Sequence, residues 1–317
     1  MKTLPFVPGA SPLTRRAFLA GVTGIAAAAI LPRASAAAGA PHAFTHGDFE
    51  IIVISDGHVT PPAPLLASDA PPDELAAAFK AANFQPGTSQ LPANITLLRR
   101  GDDLVMIDTG SGTGLGPTAG KLRENMIAAG IDPDSVTKVV FSHGHPDHLW
   151  GTIAGPDALQ FPKATYYATA AEWDFWMNPD TVNLFPPDFQ AIPTESKRQF
   201  EAVKDIVTMM KPGEEVIAGV SVLDTAGHTP GHVSFEIAGG DGLILVADAI
   251  VFPTISFEHP AWRFAMDSIQ DLAAASRVRL LDQAASEKKR LVGYHWPYPG
   301  IGYAEKAGSA YRYVPET

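Results

Sequence analysis

From residue 49 onward the chain reads as short apolar runs broken by Gly, Pro and Asp, interspersed with longer stretches of helical period. Runs of four to eight residues bounded by turn formers predict strands, and longer periodic segments predict helices. Strands are expected at 49–54, 94–99, 104–107, 138–141, 165–168, 215–223, 233–237, 243–247 and 291–294, and helices at 120–129, 170–177, 195–209 and 268–285. Strands alternating with helices argue for a layered α/β domain, and no repeat of fixed period is visible. Residues 59–92, rich in Pro and Ala, are expected to run over the surface, with 37–47 as an N-terminal arm.

Several of the apolar runs end in residues that bind metals. Val139-Val140-Phe141 leads directly into Ser142-His143-Gly144-His145-Pro146-Asp147-His148. In an extended chain, residues two apart point to the same side, so His143 and His145 can reach one ion together. Pro146 disfavours helical geometry at His145 and suits the first position of a helix starting there. Asp147 and His148 then follow a change of chain direction, which makes them available to a second ion. Imidazole and carboxylate suit zinc, manganese, iron or cobalt, and none of these requires a thiolate. The alternative, a solvated polar loop, suits one histidine better than four ligand-type residues in this spacing.

Further candidates follow at intervals. Thr225-Ala226-Gly227-His228-Thr229-Pro230-Gly231-His232 succeeds the run around Val220–Leu223, the run from Gly242 ends in Asp248, and that from Leu291 ends in His295. This order, His-x-His-x-Asp-His, then Gly-His-Thr-Pro-Gly-His, strand-Asp and strand-His, resembles the metallo-β-lactamase superfamily over most of residues 47–303. The resemblance implies a four-layer αββα sandwich. It places His143, His145 and His228 on a first metal, Asp147, His148 and His295 on a second, and Asp248 between the two. Asp108 matches a family position just outside the ligands, where a carboxylate would orient a ligand histidine; a turn aspartate before Gly110 is the plainer reading. His232 is expected beside the ligands rather than among them.

Two divalent ions, zinc first among them, would generate a hydroxide near neutral pH and polarise a carbonyl or phosphoryl oxygen. The expected activity is therefore hydrolysis of a small apolar ester, lactone or organophosphate, with Asp147 and Asp248 as the carboxylates serving the reaction as well as the metals. Residues 247–267 and 295–302 resemble the methyl-parathion-hydrolase-like branch. Acyl-homoserine lactonases of another branch carry a tyrosine where Val251 stands here, three residues after Asp248, which counts against that assignment while leaving lactones open. Outside hydrolysis stand a persulfide dioxygenase with one iron and a non-catalytic metal-binding protein.

Composition adds location and exclusions. Residues 1–36 hold Lys2, Arg15, Arg16 and Arg33 and no acid, and Thr14-Arg15-Arg16-Ala17-Phe18-Leu19 resembles a twin-arginine export signal. The apolar run from about Ala17 to Leu31 is short for a membrane span, and Ala34-Ser35-Ala36 offers a cleavage site. The expectation is a signal peptide over 1–36, one domain over 37–317, a periplasmic or secreted product and no membrane attachment after cleavage. The chain has no cysteine, so disulfides are excluded. Its net charge of −11 becomes more negative once four basic residues are removed with the signal, which disfavours nucleic acid as a partner.

The segment 173–189 is dense in aromatics. Trp173, Trp176 and Phe185 are expected either to cap the metals against an apolar substrate or to serve packing or a homodimer contact. His259 carries the same ambiguity.

Overall fold

The computed structural model describes residues 40–316 except 67, 156 and 157; the expected signal peptide lies outside the described residues. Why the strands read as nearly continuous apolar runs is explained by what covers them, for both faces of each sheet are buried.

The first sheet is built from β1 (His42–His46), β2 (Phe49–Val59), β3 (Leu91–Arg100), β4 (Asp103–Ile107) and β5 (Lys138–Val140). After a small ribbon, β6 (Ile153–Gly155) with β7 (Ala158–Leu159), it is completed by β8 (Thr165–Thr169) and β9 (Val207–Met210). Its order is β1-β2-β3-β4-β5-β8-β9, antiparallel as far as β4 and parallel from there on. The second sheet runs in chain order through β10 (Glu215–Ile217), β11 (Val220–Asp224), β12 (Val233–Ile237), β13 (Leu243–Leu245), β14 (Arg290–Val292), β15 (Ile301–Ala307) and β16 (Ala310–Pro315). Only its β13–β14 pair is parallel, and the connection between those strands, residues 246–289, includes the long helix described below.

Residue alternation sorts the core into layers. Ile51 and Val53 of β2 join Val105, Val222, Phe235, Leu245 and Val292 between the sheets. Ile52 and Ile54 face the other way, into a cluster containing Met126, Trp176 and Phe200. These come from the helices α2 (Leu122–Ala128), α4 (Ala170–Met177) and α5 (Ala191–Glu201), which cover the first sheet, with the short α3 (Pro146–Leu149) between. Ile244 and Leu291 of the second sheet pack outward against Leu280, Leu281 and Ala284 of α7 (Gln270–Glu287). The four layers are helix, sheet, sheet, helix, as the resemblance implies. Each buried Ile, Leu or Phe side chain in them contributes about 1.5–3 kcal/mol relative to exposure.

Four expectations need correction. The helix expected over 195–209 ends at Glu201, and Val207–Met210 is instead the edge strand β9, where β-branched Val207 and Thr208 pair with β8. The strand expected over 215–223 is two strands, turned at Gly219 with φ +86°. Residues 59–92 include α1 (Pro72–Ala81), and Leu66, Phe79 and Leu91 form a buried cluster with Phe252, Ile255 and Phe264 around α6 (Pro253–Glu258). The expected arm is in part a strand, since β1 pairs along β2. Strands β15 and β16 had no counterpart in the apolar pattern because their outward residues are polar or exposed.

Candidate metal centre

The residues that could hold metals leave the ends of strands. Asp108 directly follows β4, Ser142 and His143 follow β5 by two and three residues, His228 lies beyond β11, Asp248 beyond β13 and His295 beyond β14. Parallel neighbours and consistent strand polarity bring these ends to one edge of the sandwich, where ligand sites of open α/β sheets commonly form. His145 adopts extended geometry (φ −70°, ψ 158°) immediately before α3, and Pro146 opens that helix. This is the direction change expected from the sequence, and it separates the two ligand groups.

Two groups result. His143, His145, His228 and Asp248 each present a ligand atom, all within 4.8 Å of one another; Asp147, His148 and His295 form a second such set. Asp248 faces both: its Oδ2 lies 3.3 Å from His228 Nε2 and 3.3 Å from His295 Nε2, and its Oδ1 lies 3.2 Å from His148 Nε2. Asp147 Oδ2 is 3.3 Å from His295 Nε2. His145 Nδ1 and His228 Nε2 stand 2.8 Å apart.

The donor set fits divalent cations. His143 Nε2, His148 Nε2 and Asp248 Oδ1 are fully buried and make no hydrogen bond, although they converge. Buried polar atoms are ordinarily satisfied, and a shared cation would satisfy all three. The charges agree. Burial together with neighbouring His148 and His145 holds His143 well below the ordinary histidine value, leaving it neutral and able to donate a lone pair. Burial alone would depress His148 as well, but Asp248, Asp147 and Asp108 outweigh it and hold it well above. In His228 the same contest, with Asp248 and Asp267 on the other side, ends at about 9. These carboxylates favour positive charge within the cluster, which a bound metal ion would supply.

The surroundings fix each ligand. Asp108, in left-handed backbone geometry (φ +64°), accepts from His148 Nδ1 at 2.8 Å and from the backbone N–H and hydroxyl of Ser142 at 2.7 Å each. His295 Nδ1 donates to the Pro92 carbonyl at 2.8 Å. In each case the hydrogen bond sets the tautomer so that Nε2 is the free ligand atom. His232 is fully buried, pairs through Nδ1 with Thr225 Oγ1 at 2.9 Å, and accepts the Asp248 N–H through Nε2 at 3.1 Å. It therefore anchors the Asp248 backbone and stands outside both ligand groups.

Other positioning residues were not anticipated. Asp267 accepts from His228 Nδ1 at 2.9 Å and pairs with Arg277 at 3.0 Å, both buried. Arg277 also donates to the carbonyls of Ala249, Pro260 and Trp262. Glu172, 1% exposed, accepts from Gly144 N–H, Gly231 N–H, Thr229 Oγ1 and Trp176 Nε1. Tyr294 stacks on His148 at 3.8 Å and donates to the Asp147 carbonyl at 2.5 Å.

Within the aromatic segment Trp176 is buried, whereas Trp173 and Phe185 are half-buried. Trp176 is 1% exposed, packs edge-on to His145 at 5.8 Å and belongs to the core cluster over the first sheet. Trp173 packs on Phe200 at 5.4 Å, and Phe185 lies 6.1 Å from Trp176. Trp176 thus buttresses the ligand loop. His259 stacks on Trp262 at 3.7 Å and belongs to neither ligand group.

A fold with this layering and a histidine–aspartate edge defines a class. The family model of the metallo-beta-lactamase superfamily matches residues 88–295, and the chain belongs to that superfamily. Its similarity to curated proteins includes an uncharacterised protein of Mycobacterium leprae (29% identical, covering 54% of this chain and 73% of that one) and one of Mycobacterium tuberculosis (30% identical, covering 44% and 57%). Among solved structures it is similar to AidC, described as a dizinc quorum-quenching lactonase in complex with a homoserine product, at TM-score 0.81 and 26% identity over 88% of this chain and 98% of that one. It is likewise similar to AbOPH, described as a hydrolase in the beta lactamase superfamily, at TM-score 0.79 and 27% identity over 88% and 98%. The chain is a metal-dependent hydrolase of this superfamily.

Proposed function

We propose that this chain hydrolyses carboxylic esters or lactones of small apolar molecules with two divalent metal ions, zinc being the first candidate. The observation that carries the reading is the pair of complete ligand groups meeting at Asp248. His143, His145 and His228 would hold one ion, Asp147, His148 and His295 the other, and Asp248 would serve both. Bound there, such ions would lower the pKa of water toward about 7 and polarise the scissile carbonyl.

The chain's own residues supply the rest. Hydrolysis adds water across the acyl C–O bond, giving a carboxylic acid and an alcohol, and the proton that water loses needs an acceptor. Asp248 and Asp147 are the carboxylates within the cluster. The Asp147 side chain is 14% exposed against 6% for Asp248, so Asp147 is the one that can hand a proton to solvent. Asp108 and His232 hold His148 and Asp248 in place throughout.

Two complete ligand groups favour this reading over a mononuclear iron dioxygenase, and the AidC and AbOPH likenesses favour a hydrolase over a non-catalytic binder. The placement in the methyl-parathion-hydrolase-like branch and export through residues 1–36 are parts of the proposal that rest on the sequence. The test is a screen of the zinc-loaded chain, residues 37–317, against 4-nitrophenyl esters, γ-lactones and phosphotriesters. Turnover of either of the first two supports the reading, and turnover of neither, with or without phosphotriester turnover, removes it.

A further inference from the structure

The second ligand group of the two-ion reading, on which this inference rests, has a support of its own on the first sheet. Strand β4 pairs with β3 only from Thr96 to Arg100, so the same edge of β3 is open at Pro92 and Asn94. Residues 293–296, which leave the end of β14 in the second sheet, occupy that edge. The Tyr294 carbonyl accepts the Asn94 N–H at 3.0 Å, and His295 Nδ1 donates to the Pro92 carbonyl at 2.8 Å. The Asn94 side chain, 2% exposed, donates through Nδ2 to the carbonyls of Gly293 at 3.3 Å and Trp296 at 2.8 Å. One residue thus holds three carbonyls of a short segment, on both sides of His295.

Two observations make this amide more than packing. Its Oδ1 is buried and has no hydrogen-bond partner among the described residues. An unsatisfied buried oxygen is a cost that an aliphatic side chain would avoid, so the amide's contribution lies in Nδ2, the atom facing two carbonyls. The chain also makes room for it. Gly300 has φ +79°, and a Cβ there would stand 2.9 Å from Asn94 Nδ2 and 2.5 Å from the Gly293 carbonyl oxygen. What the braced segment carries is the second ligand group: His295 belongs to it, and Tyr294 stacks on His148 at 3.8 Å and donates to the Asp147 carbonyl at 2.5 Å. In the first group, His143 and His228 pair instead with Ser142 and Asp267.

We propose that Asn94 is a positioning residue for the second ligand group: by fixing residues 293–296 against β3 it sets the affinity of Asp147, His148 and His295 for their ion, and leaves the first group's affinity unaffected.

Cobalt(II) titration of the metal-free chain, followed by visible absorption, gives a binding step for each group, the steps being assigned with His145→Ala and Asp147→Ala. Asn94→Ala and Asn94→Asp should weaken the second step about tenfold or more and leave the first within about threefold. Asn94→Asp keeps the side chain's shape and turns the donor into an acceptor facing two carbonyls, so an effect common to both variants does not come from lost volume. Gly300→Ala leaves Asn94 in place but presses on its amide; it should act in the same direction, and it reports even if both Asn94 variants unfold. Tyr166→Phe removes a buried hydrogen bond to the Phe161 carbonyl (3.1 Å), away from the segment, and should change neither step. Equal weakening of both steps in the folded variants, or weakening of neither, overturns the proposal. If the unaltered chain binds a single ion, the two-ion reading falls, and the proposal is decided in the metal-free chain by exchange of the His295 Nδ1 proton with solvent. Exchange about tenfold faster or more in the variants, with Tyr166→Phe unchanged, upholds it, and an unchanged rate overturns it.

Discussion

The Glu172 carboxylate accepts the backbone N–H of Gly144 at 2.8 Å, and its second oxygen accepts that of Gly231 at 2.9 Å. Gly144 sits between His143 and His145, and Gly231 lies three residues after His228, so one buried side chain of α4 ties together both loops that carry the first ligand group. Glu172→Gln replaces one acceptor oxygen by a donor facing N–H groups, and Glu172→Ala leaves the donors without a partner. Both should weaken metal binding at the first group by about 10–100-fold while the second group keeps its affinity. Cobalt(II) titration followed by visible absorption separates the two sites. Equal weakening at both, or none, contradicts the role.

Asp267 is the corresponding support for His228, and its loss has a further consequence. Arg277, 3% exposed, would keep its charge with no carboxylate beside it. Breaking such a buried pair from one side costs about 3–5 kcal/mol. Asp267→Asn should lower the urea midpoint accordingly with an unchanged slope, and Asp267→Asn with Arg277→Met should recover part of the loss. An unshifted midpoint in Asp267→Asn would show the pair to be immaterial.

The ligand loop is also fixed by what cannot fit. A Cβ at Gly144 would stand 2.3 Å from Trp176 Nε1, whereas one at Gly155 meets nothing within 4 Å among the described residues. Gly144→Ala should destabilise the chain by about 1–3 kcal/mol and disturb the first ligand group, because Trp176 is already held by Glu172 and cannot retreat freely. Gly155→Ala should be close to neutral. Thermal unfolding of the two variants side by side checks the contrast.

The candidate ligands, which the structure gathers into two groups, were legible because each lies at the end of an apolar run and the spacing of His143, His145, Asp147 and His148 is local. Their supports were not, because they are single residues joined to the ligands only by the fold. Glu172 stands three residues after Thr169, a spacing that reads as a capping box, and Thr169 does cap α4 by accepting the Glu172 N–H. The carboxylate, which that motif would turn back to Thr169, instead reaches the ligand loops. Asp267 carries no local signal at all; its importance arises from α7 bringing Arg277 alongside. Val207–Met210 shows the same limit for secondary structure, since a helical continuation was outcompeted by pairing with β8. The apolar cluster of Leu66, Phe79, Leu91 and Phe252 joins segments more than 150 residues apart, which no periodicity displays.

Export is a prediction of the sequence alone. Residues 1–40 fused to a reporter that folds in the cytoplasm should carry it to the periplasm, and replacing Arg15 and Arg16 with Lys should stop transport. Continued export of the double variant would point to a general secretion signal.

The central claim is that hydrolysis depends on metal ions held by the two groups that meet at Asp248. Its most direct test strips the chain, residues 37–317, with a chelator, then follows 4-nitrophenyl acetate hydrolysis while zinc is added back and bound zinc is counted. The account predicts no turnover in the stripped chain, full turnover at two ions per chain, and neither recovery nor full binding in Asp248→Ala. Turnover that survives stripping, or that Asp248→Ala retains in full, would contradict it.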